Sequence, residues 1–166
     1  MIVVYHDVGG AHSTAAAANI HINRLPIDRV ATEEELLNVP TFDKVTKADM
    51  GHLIYIGEDE LKNKVYTLGR QYKPNLVIPA VKDMYSIVEP NKDELVLVDT
   101  MPAVNLLMKI GGFSSRRLHL VSFGRPIVTK GTQQAYMDIV NIVKGVKNSL
   151  KNQNYGNVKP MFPHAQ

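Results

Sequence analysis

Ile2-Val3-Val4-Tyr5-His6-Asp7-Val8-Gly9-Gly10-Ala11-His12-Ser13-Thr14-Ala15-Ala16-Ala17-Ala18 decides how this chain folds. Its first four residues are apolar and β-prone, and two glycines free the backbone to turn. Ser13 or Thr14 can cap, and an alanine run of the highest helix propensity follows. A strand that feeds a helix through a glycine turn is how an anion cradle is built. The unpaired N–H groups of the helix's first turn and the positive end of its dipole point into the loop at 9–14, where phosphate is the usual occupant. This loop is expected to lie at the surface, with Gly10 giving a ligand close access to the backbone.

The rest of the chain supports one core. With 166 residues, 45% of them hydrophobic, a single α/β domain over 1–150 is expected, followed by a loose tail at 151–166. The chain has no cysteine, which excludes disulfides, thiolate metal sites and cysteine nucleophiles. No apolar run approaches the roughly 20 residues that span a bilayer, and no basic leader precedes an apolar one, so a cytoplasmic protein without a membrane partner is expected. The net charge of +3 is too small to mark a nucleic-acid footprint. The excess is local, since Arg116, Arg117, Arg125, Lys130, Lys144, Lys147 and Lys151 face only Asp138 in that stretch. This suits either an anionic ligand or a solvated helix face.

Apolar periodicity places the other elements. Thr32 and Glu35 have capping-box spacing for a short helix over 32–39. The β-rich runs at 52–57 and 64–69 flank a polar stretch and read as a hairpin. A helix over 74–88 starts with Pro74 and aligns Leu76, Val77, Ala80, Val81, Met84 and Val88. Leu95-Val96-Leu97-Val98 reads as a buried parallel strand. A helix over 104–110 ended by Gly111-Gly112, a strand over 118–123 and an amphipathic helix over 132–150 complete the pattern. The expected fold is a three-layer α/β sheet, Rossmann-like or degenerate P-loop-like, mostly parallel, with an inserted hairpin.

Ligands of open α/β sheets collect beyond the carboxyl ends of the parallel strands. Three loops qualify: 6–14 with His6, Asp7, His12, Ser13 and Thr14; 99–105 with Asp99, Thr100 and Asn105; and 124–132 with Arg125, Lys130 and Thr132. Against the phosphate loop of nucleotide hydrolases, His12 stands at the lysine and Asp99 ends a hydrophobic strand as the second acid would, but the lysine is absent. A true nucleotide hydrolase, a phosphate loop of another kind and a plain tight turn all remain open. His6, His12 and His21 lack the spacing of a helical zinc site, so no metal site is expected. His12 can act as a general acid or base or donate to phosphate, whereas Ser13 lacks the context of a serine nucleophile. His21 reads as a helix-face histidine satisfied by a hydrogen bond. Arg116 and Arg117, after two serines, suit bidentate phosphate contacts or structural ion pairs. Aromatic residues are not interleaved with basic ones, which argues against RNA.

Several stretches together resemble a family of small uncharacterised bacterial proteins, a domain of unknown function found mainly in Gram-positive spore formers. They are Tyr5-His6 with Gly9-Gly10-Ala11-His12-Ser13, Ala17-Ala18-Asn19-Ile20-His21, Phe42-Asp43-Lys44, Val65-Tyr66-Thr67-Leu68-Gly69-Arg70, Asp99-Thr100-Met101-Pro102-Ala103-Val104-Asn105, Ile110-Gly111-Gly112-Phe113-Ser114-Ser115-Arg116-Arg117, and Ser122-Phe123-Gly124-Arg125-Pro126. Asp99 and Ala103 depart from that pattern, where Asn and Cys are common. The resemblance implies no activity.

The function expected is binding of a phosphorylated small molecule, a nucleotide or a nucleotide-derived signal, by a non-catalytic sensor or sequestering protein. His6, Gly9, Gly10, His12, Ser13, Thr14, Asn105, Arg116, Arg117 and Arg125 would form the ligand site. The alternative is a phosphoryl-transfer or phosphate-ester hydrolysing enzyme using His12 and Asp99 as catalytic groups, with Mg2+ as a cofactor only in that case. A homo-oligomer is compatible with the chain.

Overall fold

The computed structural model describes residues 1–90, 94–117 and 121–156, and the side chains of all of these except 112–123 and 153–156. Four strands, β1 (Ile2–Asp7), β2 (Leu53–Glu58), β3 (Lys64–Gly69) and β4 (Leu95–Asp99), form one open sheet in the order β2-β3-β1-β4. β1 pairs in parallel with both β3 and β4, and β2 runs antiparallel to β3 as the expected hairpin. The helices are α1 (Ser13–His21), α2 (Glu33–Asn38), α3 (Pro74–Val88), α4 (Leu106–Arg117) and α5 (Val121–Gly156), with a 3-10 turn at Met101–Ala103. The fold is mixed α/β.

Strand alternation sorts the sheet into two faces. Val3 and Tyr5 share one face with Val65 and Val98, and these residues join the core with α1 and α5. Every residue of α1 is buried, and a helix enclosed on all sides at close range needs small side chains, which Ala15 to Ala18 supply. Tyr136, Ile139 and Val143 of α5 close the core over it. Val4, Tyr66 and Leu97 point to the other face. The chain passes from β1 to β3 on one side of β1 and returns through α3 to β4 on the other. A right-handed crossover therefore lays α3 over this second face.

Local signals hold where they are self-contained. The capping box forms in both directions, Thr32 Oγ1 accepting from the Glu35 amide at 3.2 Å and Glu35 Oε2 from the Thr32 amide at 2.8 Å. At the far end of α1, His21 is fully buried. The Tyr5 hydroxyl donates to its Nδ1 at 2.7 Å, and its Nε2 donates to Asp59 Oδ2 at 3.1 Å. Asp59 also accepts from the amides of Leu61 and Asn63 and from Asn63 Nδ2, which ties the hairpin turn to α1 and β1. The expectation that His21 is a satisfied helix-face histidine agrees with this network.

Several expectations are corrected. Residues 121–123 of the expected strand are helical, as is the whole of the expected loop 124–132; residues 118–120 lie outside the described residues. Gly111 does not end its helix but sits inside α4, where an added Cβ would lie 2.5 Å from the Val128 amide nitrogen. Gly131 meets the Met108 amide nitrogen in the same way, at 2.8 Å. Two glycines let α4 and α5 approach backbone to backbone, and this long-range packing overrides the β propensity of the local sequence. The last helix extends on both sides of the expected 132–150, through Gly156, and residues 157–166 of the expected tail lie outside the described residues. Finally, Gly10 is buried rather than surface-lying, at φ +69, and a Cβ there would stand 2.7 Å from the Gly69 amide nitrogen.

Candidate ligand-binding site

Asp7 ends β1 and organises the loop that follows it. Its Oδ1 accepts from the Gly9 amide at 2.8 Å and from the Gly10 amide, while its Oδ2 accepts from Ser13 Oγ at 2.5 Å. An aspartate bonding the amides two and three residues on is a common turn former. Here it means that the amides of Gly9 and Gly10 face the chain's own carboxylate. Ser13 Oγ lies 2.8 Å from Thr100 Oγ1, and Thr100 donates its amide to the His6 carbonyl at 3.0 Å. The ends of β1 and β4 are thus joined beneath the loop.

The first turn of α1 is unspent. His12 occupies the N-cap at φ −120 and ψ −75 with no side-chain cap bond, and the intrahelical ladder starts with the Ala16 amide donating to the His12 carbonyl at 2.9 Å. Among the described residues, nothing accepts from the amides of Ser13, Thr14 or Ala15. Thr14 Oγ1 is buried there without a partner. Side chains in a helix tilt toward its N-terminus, so this hydroxyl leans to the same end as the three amides.

Beside this turn stands a charge cluster. His12 Nε2 lies 3.2 Å from Asp43 Oδ1, its ring set edge-on against Phe42 with centroids 5.4 Å apart. Arg125 Nε donates to Asp43 Oδ2 at 2.8 Å. Burial acts to raise the Asp43 pKa, but the hydrogen bonds from His12 and Arg125 outweigh it and hold the carboxyl down at about 2. Asp43 reaches this position in the left-handed region, at φ 54, with its amide donating to the Ala11 carbonyl at 3.2 Å.

A second cluster lies at the carboxyl edge of the opposite sheet face. The buried Arg70 donates from Nε to His6 Nδ1 at 3.1 Å and from its terminal nitrogen to Asp99 at 3.2 and 3.3 Å. Accepting from Arg70 requires a bare Nδ1, so His6 is neutral with its proton on Nε2. Burial lowers the His6 pKa in agreement, opposed by Asp99. Asp99 Oδ1 also accepts from the Met101 amide at 2.9 Å, and 45% of its side chain is exposed.

The structure therefore gathers His6, Gly9, Gly10, His12, Ser13, Thr14 and Asp99 at the carboxyl edge of the sheet, and Arg125 reaches it from α5 rather than from a loop. Asn105 serves elsewhere. Its Oδ1 accepts from the Met108 amide at 2.9 Å, and its Nδ2 donates to the Gly131 carbonyl at 2.8 Å, so it caps α4 and ties it to α5. Arg116 and Arg117 belong to the last turn of α4, with side chains outside the described residues. Asp43 and Arg70 carry no site signal in the sequence, although both fall in stretches that carry the family resemblance.

No helix among the described residues is long and apolar enough to cross a membrane. Comparison with curated proteins and with solved structures yields no match. A family model does match, over residues 2–148, and its description is protein of unknown function, DUF3189. The chain belongs to the DUF3189 family.

Proposed function

We propose that the protein binds a small phosphorylated molecule of the nucleotide class at the first turn of α1, as a sensor or sequestering protein without catalysis. The observation that carries this is the unspent turn: three amides without acceptors among the described residues and the buried Thr14 hydroxyl, unpartnered among them, at the positive end of a nine-residue helix. Phosphate oxygens satisfy such donors, and the dipole favours their charge. Arg125 stands beside this turn, held by Asp43. The missing lysine is no loss to a binder, which has no transition state to stabilise.

Calorimetric titration and thermal melting against inorganic phosphate and nucleoside mono-, di- and triphosphates test the proposal. A nucleoside monophosphate at a hundred times its Kd should stabilise the fold by about 2.7 kcal/mol. No binding by any of them overturns it.

One observation favours the enzymatic alternative. The His12–Asp43 pair at 3.2 Å has the form of a base held by an orienting carboxylate. If His12 performs acid–base chemistry on a phosphate ester, His12→Gln keeps affinity within several-fold while turnover falls by roughly 10²–10⁴. Product formed equally fast by wild type and His12→Gln removes that role.

A further inference from the structure

Not one of the fifteen residues of α3 is buried. At 100° per residue its apolar side chains fall into two neighbouring stripes. Val77, Ile78, Val81 and Tyr85 are half-buried. Leu76, Ala80, Met84 and Ile87 recur at helical spacing beside them and are exposed, with Leu76 at 64%, Met84 at 61% and Ile87 at 73%, while Val88, in line with Val77 and Val81, is 71% exposed at the end of the helix. Asn75, Lys82 and Ser86 occupy the opposite side, and Asp83 borders the exposed stripe next to Leu76. The apolar arc is thus about twice as wide as the sheet covers, and helices of this kind draw their stability from packing that arc. Tyr72, 83% exposed just before the helix, lengthens the patch.

We propose that this outer stripe is the seam of a homodimer in which two α3 helices cross antiparallel about a two-fold axis at Ala80. The sequence is self-complementary in that register. A two-fold through Ala80 sets Leu76 against Met84 of the second copy, with Tyr72 and Val88 facing each other at the two ends of the seam, the self-pairing that an isologous interface requires. Ala80 at the crossing lets the helices come close, and spacings of four, four and three suit a helix–helix seam. The charge on α3 itself, one lysine and one aspartate, cancels and offers no basic field to lipid headgroups or nucleic acid. Five large side chains contribute on the order of 100 Å² each, which over two copies reaches the ~1,000 Å² of a specific interface.

Sedimentation velocity and light scattering over a micromolar-to-millimolar dilution series, with circular dichroism to verify folding, test the seam. Wild type should be dimeric. Leu76→Glu and Met84→Lys, each placing a charge on a solvent-facing position of the single copy, should give folded monomers. The Leu76→Glu/Met84→Lys double variant should dimerise again, because the two-fold places 76 beside 84. A monomeric wild type overturns the proposal, as do single variants that remain dimers or a double variant that stays monomeric. Co-sedimentation of wild type with anionic vesicles, abolished by Leu76→Glu, also overturns it in favour of a membrane surface. Should a variant unfold, the wild-type series alone decides.

Discussion

At the carboxyl end of α1, His21 is enclosed and both ring nitrogens are committed, one to the Tyr5 hydroxyl and one to Asp59. At the amino end, His12 stands beside Asp43 over a turn whose amides and buried threonine hydroxyl have no acceptor or donor among the described residues. Both ends combine an imidazole with a carboxylate, yet among the described residues the donors at one end are all matched and those of the turn at the other are not. A complete buried network holds elements together, here hairpin turn, helix and first strand. An unsatisfied buried group costs roughly 1–3 kcal/mol, and a ligand that supplies the missing partner recovers that cost.

Asp59→Ala should produce the largest effect. It strips four donors of their acceptor and leaves His21 buried, at about 3–5 kcal/mol, a fall in Tm on the order of 10 °C for a domain of this size. Affinity for the phosphorylated ligand should not move. Thermal melting and titration of the same sample separate the two, and a variant that melts like wild type would erase the difference between the ends.

Gly10→Ala comes next, at about 2–4 kcal/mol, because it adds a left-handed penalty to a Cβ pressed on the Gly69 backbone. Such a loss means that the loop glycine serves the packing of β1 against β3 before it serves any ligand. Unchanged stability with abolished binding would instead restore a surface loop built for phosphate.

The legible parts of the molecule are those whose causes are local. Apolar β-branched residues, a glycine turn and an alanine run specify β1 and α1 within twenty residues, and the Thr32–Glu35 box and the β2–β3 hairpin are as short in range. The segment at 121–123 misleads because its helical state depends on Gly111 meeting Val128 and Gly131 meeting Met108, contacts between separate helices. Asp43 and Arg70 escape for a related reason. Each lies just beyond a turn, and only the left-handed backbone at Asp43 or the parallel register of β3 on β1 brings its side chain to a histidine. The apolar stripe of α3 is visible in sequence, but its spacing does not say which half the sheet covers.

The Asp43 carboxyl gives a pH signature to the open end. Its folded pKa of about 2 lies below the ordinary aspartate value of about 3.9, so the stability it contributes is complete above pH ~4 and lost as pH falls toward 2. Asp43→Asn should flatten that part of the acid-unfolding curve while leaving the melting temperature near neutral pH lower by a smaller amount than Asp59→Ala. An unaltered curve between pH 4 and 2 would show that His12 and Arg125 do not hold the carboxylate in solution.

The smallest effect discriminates most sharply between a site and a packing defect. Thr14 Oγ1 is buried and unpartnered, so replacing it with an isosteric methyl removes a polar group that gains nothing in the free protein. Thr14→Val should therefore leave stability unchanged or raise it by about 1 kcal/mol, since valine keeps the shape and the hydroxyl's desolvation cost disappears. A residue with a purely structural role would show nothing further. If the first turn of α1 receives phosphate, the same substitution removes one donor from the ligand and weakens nucleoside monophosphate binding roughly ten-fold, the equivalent of one hydrogen bond to a charged group. Equal affinity of wild type and Thr14→Val would take the hydroxyl out of the site, and a loss of stability would mean that it has a partner in the free protein.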